Sequence, residues 1–156
     1  RIGQHKERKR VDCQQLVQTV VAGLDHDIKD SQAQISINNL PPVQGYETDL
    51  GLLFQNLLTN AIKFQQPGQI PEIEIQAHKT ENEWIFSVKD NGIGIPEEEQ
   101  KELFNRFFRA KNVTNIEGTG LGLSIVKKYI ELLNGKIWFE SELNVGTTFF
   151  VEIPIS

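Results

Sequence analysis

The chain has 156 residues and a mass of 17.7 kDa, about one domain able to bury roughly two thirds of its unfolded surface without staples. Hydrophobic residues at 38% and charged residues at 24% exclude disordered, collagen-like and coiled-coil chains. A net charge of −5 disfavours a nucleic-acid partner, no apolar run approaches the roughly 18 to 20 residues that cross a bilayer, and the single Cys13 excludes a disulfide framework or multi-cysteine zinc site.

Arg1, Lys6, Arg8, Lys9 and Arg10 against Glu7 give the opening stretch +4 and leave −9 for the rest. Residues 1–10 read as a solvated linker, with a docking patch as the other reading. No methionine occurs, not even at position 1, so the chain is expected to be part of a longer protein. Leu16, Val17, Val20, Val21 and Leu24 predict one amphipathic helix over about residues 12 to 32, capped by Asp12. Residues 33 to 38 alternate as a short strand, which Pro41-Pro42 ends in a turn. From Thr48 to Phe64, Leu50, Phe54, Leu57, Leu58, Ala61 and Ile62 fill one arc of a second helix, stopped by Pro67-Gly68.

Glu72 to Lys79 and Trp84 to Asp90 alternate and read as an antiparallel pair. Pro96 with Glu97, Glu98 and Glu99 opens a short helix, and residues 110 to 119 read as a loop. Ser124 to Leu133 form a helix closed by Asn134-Gly135, and Lys136 to Ser141 with Thr147 to Ile153 make a second hairpin around Gly146. The order predicts an α+β fold with one mixed sheet covered by helices on one face.

Three places carry chemistry. On the middle helix, with Asn56 as origin, Asn60 lies about 40° round and Lys63 about 20° the other way, so two amides and an ammonium can meet one ligand. The plain alternative is a wet helix face, but paired asparagines are poor helix formers with no packing return. Asp90-Asn91-Gly92-Ile93-Gly94-Ile95-Pro96 follows a strand, placing an acceptor for an amino group beside glycines; as a local feature such a stretch is more often simply a turn. Gly118-Thr119-Gly120-Leu121-Gly122-Leu123 leads into a helix and reads either as a flexible loop or as a phosphate cradle of backbone amides. It matches neither the dinucleotide fingerprint, since position 123 is Leu, nor a Walker loop.

In this order the stretches resemble the ATP-binding catalytic domain of two-component sensor histidine kinases, within the gyrase, Hsp90, histidine kinase and MutL superfamily. The resemblance covers roughly residues 11 to 155. Its N box is Gln55-Asn56-Leu57-Leu58-Thr59-Asn60-Ala61-Ile62-Lys63-Phe64, its first glycine box Asp90 to Pro96, and its second Gly118 to Leu123. The F box is Leu103-Phe104-Asn105-Arg106-Phe107-Phe108-Arg109. Trp84 to Val88 and the Lys136-Ile137-Trp138 run resemble the phytochrome-type branch more loosely.

The resemblance implies a two-layer α/β sandwich of the Bergerat type, mostly antiparallel, with residues 11–156 as the catalytic domain. It implies that Asp90 accepts the adenine amino group with help from Thr148 and a water, and that Phe64 lies against the base. Asn60 would give an oxygen to Mg²⁺, whose other positions belong to phosphates and waters. Asn56 and Lys63 would touch phosphates, while Arg109, and less directly Arg106 or Lys111, would stabilise the transferring group. Gly92, Ile93, Gly94 and Ile95, Phe107, and Gly118, Thr119, Gly120, Leu121, Gly122 and Leu123 would line the nucleotide, with the loop 97 to 119 as a lid.

Where hydrolysing relatives carry a water-activating Glu, four residues before the metal-binding Asn, this chain has Asn56, which is no base near neutral pH. Slow hydrolysis is therefore implied, with the γ-phosphoryl group kept for a histidine on a separate dimerisation domain. His26-Asp27 has the dipeptide of an acceptor but the wrong setting, and His5 and His78 read as exposed polar residues. The implied partners are that dimerisation and histidine-phosphotransfer domain and a response-regulator receiver domain, in a cytoplasmic, homodimeric protein with no direct membrane contact by this chain. A nucleotide-sensing module without catalysis and an anti-sigma-type serine kinase are the alternatives.

Overall fold

The computed structural model describes residues 8–100 and 120–155, with backbone alone at 99 and 120–125. A short strand β1 (Lys9–Asp12) runs into helix α1 (Cys13–Gly23), where Asp12 Oδ1 accepts the Gln15 N–H at 3.1 Å and satisfies one orphan amide of the first turn. The single helix expected to residue 32 is divided. Leu24 leaves helical geometry at φ −100° and ψ 18°, and a new helix α2 (Asp25–Ser31) starts on Asp25 and Asp27. Gly23 is a weak helix former, burial of Leu24 in the core favours the break, and the acids suit the positive end of α2.

Strand β2 (Gln34–Ile37) follows as expected, but Pro42 opens rather than forbids a strand, β3 (Pro42–Gly45). It pairs antiparallel with β1 from Asp12↔Pro42 to Lys9↔Gly45, and a proline at the first position of an edge strand sacrifices no needed donor. Lys9 and Arg10, expected in the linker, lie in this ribbon with their side chains exposed. Helix α3 (Glu47–Lys63) buries Leu50, Leu53, Phe54, Leu57, Leu58, Ala61 and Ile62 along one side.

Strands β4 (Glu72–Lys79) and β5 (Glu83–Asp90) form the first hairpin. A short helix α4 (Glu97–Gln100) follows, then α5 (Gly120–Leu132), and β6 (Lys136–Glu142) with β7 (Gly146–Pro154) form the second hairpin. The main sheet has the order β2-β4-β5-β7-β6, parallel only between β2 and β4. Ile73, Ile75, Phe86, Val88, Phe149, Val151 and Ile153 join residues of α1, α3 and α5 in one core, which makes the expected two-layer sandwich. No helix of the described residues is long and apolar enough to cross a membrane.

Phe54 and Phe86 join the layers edge to face, with ring centroids 5.8 Å apart and both rings buried. Phe54→Ala is expected to lower unfolding free energy by about 3–5 kcal/mol in urea titration. A change below about 1 kcal/mol would show that this contact does not bind helix to sheet.

Candidate functional site

The end of β5, the start of β7 and the end of α3 converge on Asp90. Its Oδ1 accepts two backbone amides, Gly92 N–H at 2.8 Å and Thr147 N–H at 3.1 Å. Among the described residues no donor reaches Oδ2, which leaves that oxygen for a ligand. Burial pushes the Asp90 carboxyl from 3.8 up to about 6, the two amide bonds opposing the rise. The approach of backbone is so close that a side chain at position 92 would strike the Phe64 carbonyl, and one at 146 the Asp90 carbonyl. Only glycine fits either place.

The loop from Asp90 to Ile95 is tied on three sides. Asn91 fastens it to the start of β4, its Oδ1 accepting from Glu72 N at 2.9 Å and its amide donating to Ile70 O at 3.1 Å. Ile93 N donates to Phe64 O at 3.0 Å, joining the loop to the end of α3. The tip of the second hairpin completes the enclosure: Asn144 N donates to Ile93 O at 2.7 Å, and Gln66 Nε2 to Asn144 O at 3.1 Å. The first glycine stretch is thus a built support for Asp90, which a simple turn would not require.

On α3, Asn56 and Asn60 are partly covered and Lys63 is exposed, on the side away from the buried arc. Asn60 O accepts from Phe64 N at 3.0 Å, and the half-buried Phe64 leaves helical geometry there, so the polar side ends beside the Asp90 loop. Gly120, Leu121, Gly122 and Leu123 lie in the first turn of α5, which begins four residues before the expected Ser124. Phe107, Arg109, Gly118 and Thr119, with Arg106, Lys111 and most of the expected lid, lie outside the described residues.

Thr147 meets Asp90 through its backbone N–H, and the neighbouring Thr148 is the residue expected to help complete the adenine contact. Phe149, Val151 and Ile153 point into the core, so the alternation of β7 turns Thr147 inward and Thr148 to the opposite face. Ser141, at the end of β6, gave no sequence signal beyond its place in a strand; its Oγ accepts from Ile95 N at 2.8 Å and lies 2.8 Å from Thr147 Oγ1.

His26 and His78 are exposed, and His5 lies outside the described residues. Cys13 is buried, which pushes its thiol up to about 12 and leaves it unreactive. Among the described residues no group of three or more His, Cys, Asp or Glu side chains could hold a metal ion. The arrangement offers one carboxylate oxygen as an acceptor in a half-buried setting, the half-buried Phe64 at the helix end joined to its loop, and neutral amides followed by an ammonium along one helix.

Residues 45–156 match the family described as histidine kinase-, DNA gyrase B-, and HSP90-like ATPase. The chain is 41% identical over 144 residues to cyanobacterial phytochrome A from Nostoc sp., covering 92% of this chain and 19% of that protein. It thus spans about a fifth of that relative's length. The solved catalytic domain of histidine kinase ThkA is similar with a TM-score of 0.79 at 30% identity, over 96% of this chain and 98% of that one. ThkA in complex with the response regulator protein TrrA gives a TM-score of 0.77 at 28% identity, over 97% of this chain and 42% of that one.

An amino-group donor needs the ionised form of Asp90, so ADP affinity is expected to be level above pH 7 and to fall as pH drops through about 6, approaching tenfold per further unit. The raised carboxyl has the opposite effect on the free fold: it contributes stability below 3.8 that is lost as pH rises through about 6. Calorimetric titration from pH 7.5 to 5, with thermal unfolding of the free chain alongside, separates the two. Affinity that stays level across this range would remove the carboxylate from the ligand contact.

Proposed function

The chain belongs to the family of histidine kinase-, DNA gyrase B-, and HSP90-like ATPases, and on that premise we propose that it binds ATP with Mg²⁺ and transfers the γ-phosphoryl group to a histidine on a separate dimerisation domain of a longer sensor kinase. The observation that carries this reading is Asp90, held through Oδ1 by the Gly92 and Thr147 amides with Oδ2 left over. A carboxylate oxygen accepts from the 6-amino group of adenine and repels the 6-oxo group of guanine, so the site selects ATP. Phe64, at the end of α3 beside the loop, lies against the base.

Asn56, about two turns before Phe64, and Lys63 contact phosphates, and the amides at the start of α5 complete the anion site. Gly92, Ile93, Gly94 and Ile95, Phe107, and Gly118 to Leu123 are proposed as nucleotide-binding, and Arg109 as stabilising charge on the transferring group. For the metal, the residues fit one arrangement. With no carboxylate cluster among the described residues, Asn60 would supply a single neutral oxygen to Mg²⁺, the other ligands being phosphates and waters, and the ion would supply charge neutralisation at the phosphates.

Asn56 cannot take a proton from water near neutral pH, so the protein holds ATP without spending it on hydrolysis. The catalytic domain takes in strand β1 from Lys9 as well as residues 11–156, and the residues before β1 join it to the dimerising part, in a cytoplasmic setting with a homodimeric whole protein. ThkA was solved with a response regulator; a receiver domain is proposed as the final acceptor here.

Mixing the chain with a separately supplied dimerisation domain and ATP labelled at the γ-phosphate tests the proposal. Acid-labile label on the partner's histidine is expected, with little phosphate released when the chain is alone. Tight ATP binding without transfer would contradict it in favour of a sensing module, and acid-stable label in favour of a serine kinase.

A further inference from the structure

The bond from Gly92 N to Asp90 Oδ1 spans two residues and moves with the loop, so it cannot fix the carboxylate relative to the sheet. The bond from Thr147 N does that, because Thr147 lies in β7, and at 3.1 Å it is the longer of the two. One hydroxyl contacts both Thr147 and the far end of the loop. The alternation that turns Ile137 and Phe139 of β6 toward the helices turns Ser141 the same way, directly opposite Thr147 in register. Ser141 Oγ accepts from Ile95 N at 2.8 Å, lies 2.8 Å from Thr147 Oγ1, and lies 3.3 Å from the Gly146 carbonyl.

A serine hydroxyl has one proton and two lone pairs. With Ile95 N–H on one lone pair, Ser141 either donates to Gly146 O and accepts from Thr147, or donates to Thr147 and leaves the threonine proton free. Both arrangements close the same ring of contacts: β6, the first two residues of β7, and the end of the loop that begins at Asp90. Ser141 makes no hydrogen bond to Asp90 itself among the described residues, and acts on it through its neighbours. The 90–95 loop is therefore aligned with β7 by a side chain lying on neither.

We propose that Ser141 is a positioning residue for base recognition, fixing Thr147 and the end of the 90–95 loop and through them the direction in which Asp90 presents its free oxygen to the purine 6-amino group. The inference rests on the adenine-nucleotide reading of the site. Removing the hydroxyl leaves Ile95 N–H and Thr147 Oγ1 without this partner while the Gly92 bond to Asp90 persists, so the carboxylate stays in the site but loses its alignment.

The test compares binding of ADP and of purine riboside diphosphate, which lacks the 6-amino group, to the full chain. Wild-type protein is expected to prefer ADP by about tenfold or more, as loss of a hydrogen bond to a charged group implies. Ser141→Ala should reduce that preference to within about twofold of equality by weakening ADP alone, and Ser141→Thr, which keeps the hydroxyl, should retain it. A merely structural serine would weaken both ligands alike; that result, or an undiminished preference in Ser141→Ala, overturns the inference. Ser141→Cys, close in size and a poor hydrogen-bonding substitute, gives the same reading should the alanine variant not fold. A wild-type chain with no preference for ADP would instead overturn the adenine reading on which the inference stands.

Discussion

Asp90 is a half-buried carboxylate whose loss of water is compensated at one oxygen by Gly92 and Thr147 amides. Leaving a carboxylate half satisfied in the interior costs free energy, visible in the raised carboxyl, and a fold optimised only for stability would not retain it. Much of the surrounding structure follows from this constraint. Positions 92 and 146 must be glycine for backbone to reach the carboxylate, β5 and β7 must be neighbours in register, and α3 must end where its Phe64 carbonyl can receive the loop.

The second hairpin has a larger part in the site than its distance along the chain suggests. Thr147, Ser141 and Asn144 all contact the loop that carries Asp90, so the proposed purine site is built from two hairpins and a helix end. The proposed phosphate end differs in chemistry, with the neutral amides of Asn56 and Asn60 followed by the exposed Lys63 and no base among them. Under the proposed reading, the lack of a water-activating group there suits a protein that holds ATP for transfer to another domain.

Helix α3 and both hairpins were legible in the sequence because each has a long hydrophobic period matching its element: seven buried positions on one arc of α3, and two-residue alternation in β4, β5 and β7. The break at Leu24 was not, because Leu24 fits the helical period and is buried in either geometry. Strands β1 and β3 have four residues each, too few to show a period, and the proline that opens β3 suggested a stop. At the site, Asp90, Gly92 and Phe64 could be placed from the motifs, whereas Ser141 depends on a cross-strand register that local pattern does not contain. The early start of α5 at Gly120 runs against the low helix propensity of glycine, which pointed to a loop.

The account depends most on the free oxygen of Asp90, and Asp90→Asn tests it directly. The asparagine oxygen can take the place of Oδ1 and keep both amide bonds, while its NH₂ then faces the adenine amino group, donor against donor. ADP affinity measured by calorimetry should fall at least about tenfold, with the unfolding midpoint held or raised since a buried charge is removed. Unchanged ADP affinity in a folded Asp90→Asn chain would contradict the account.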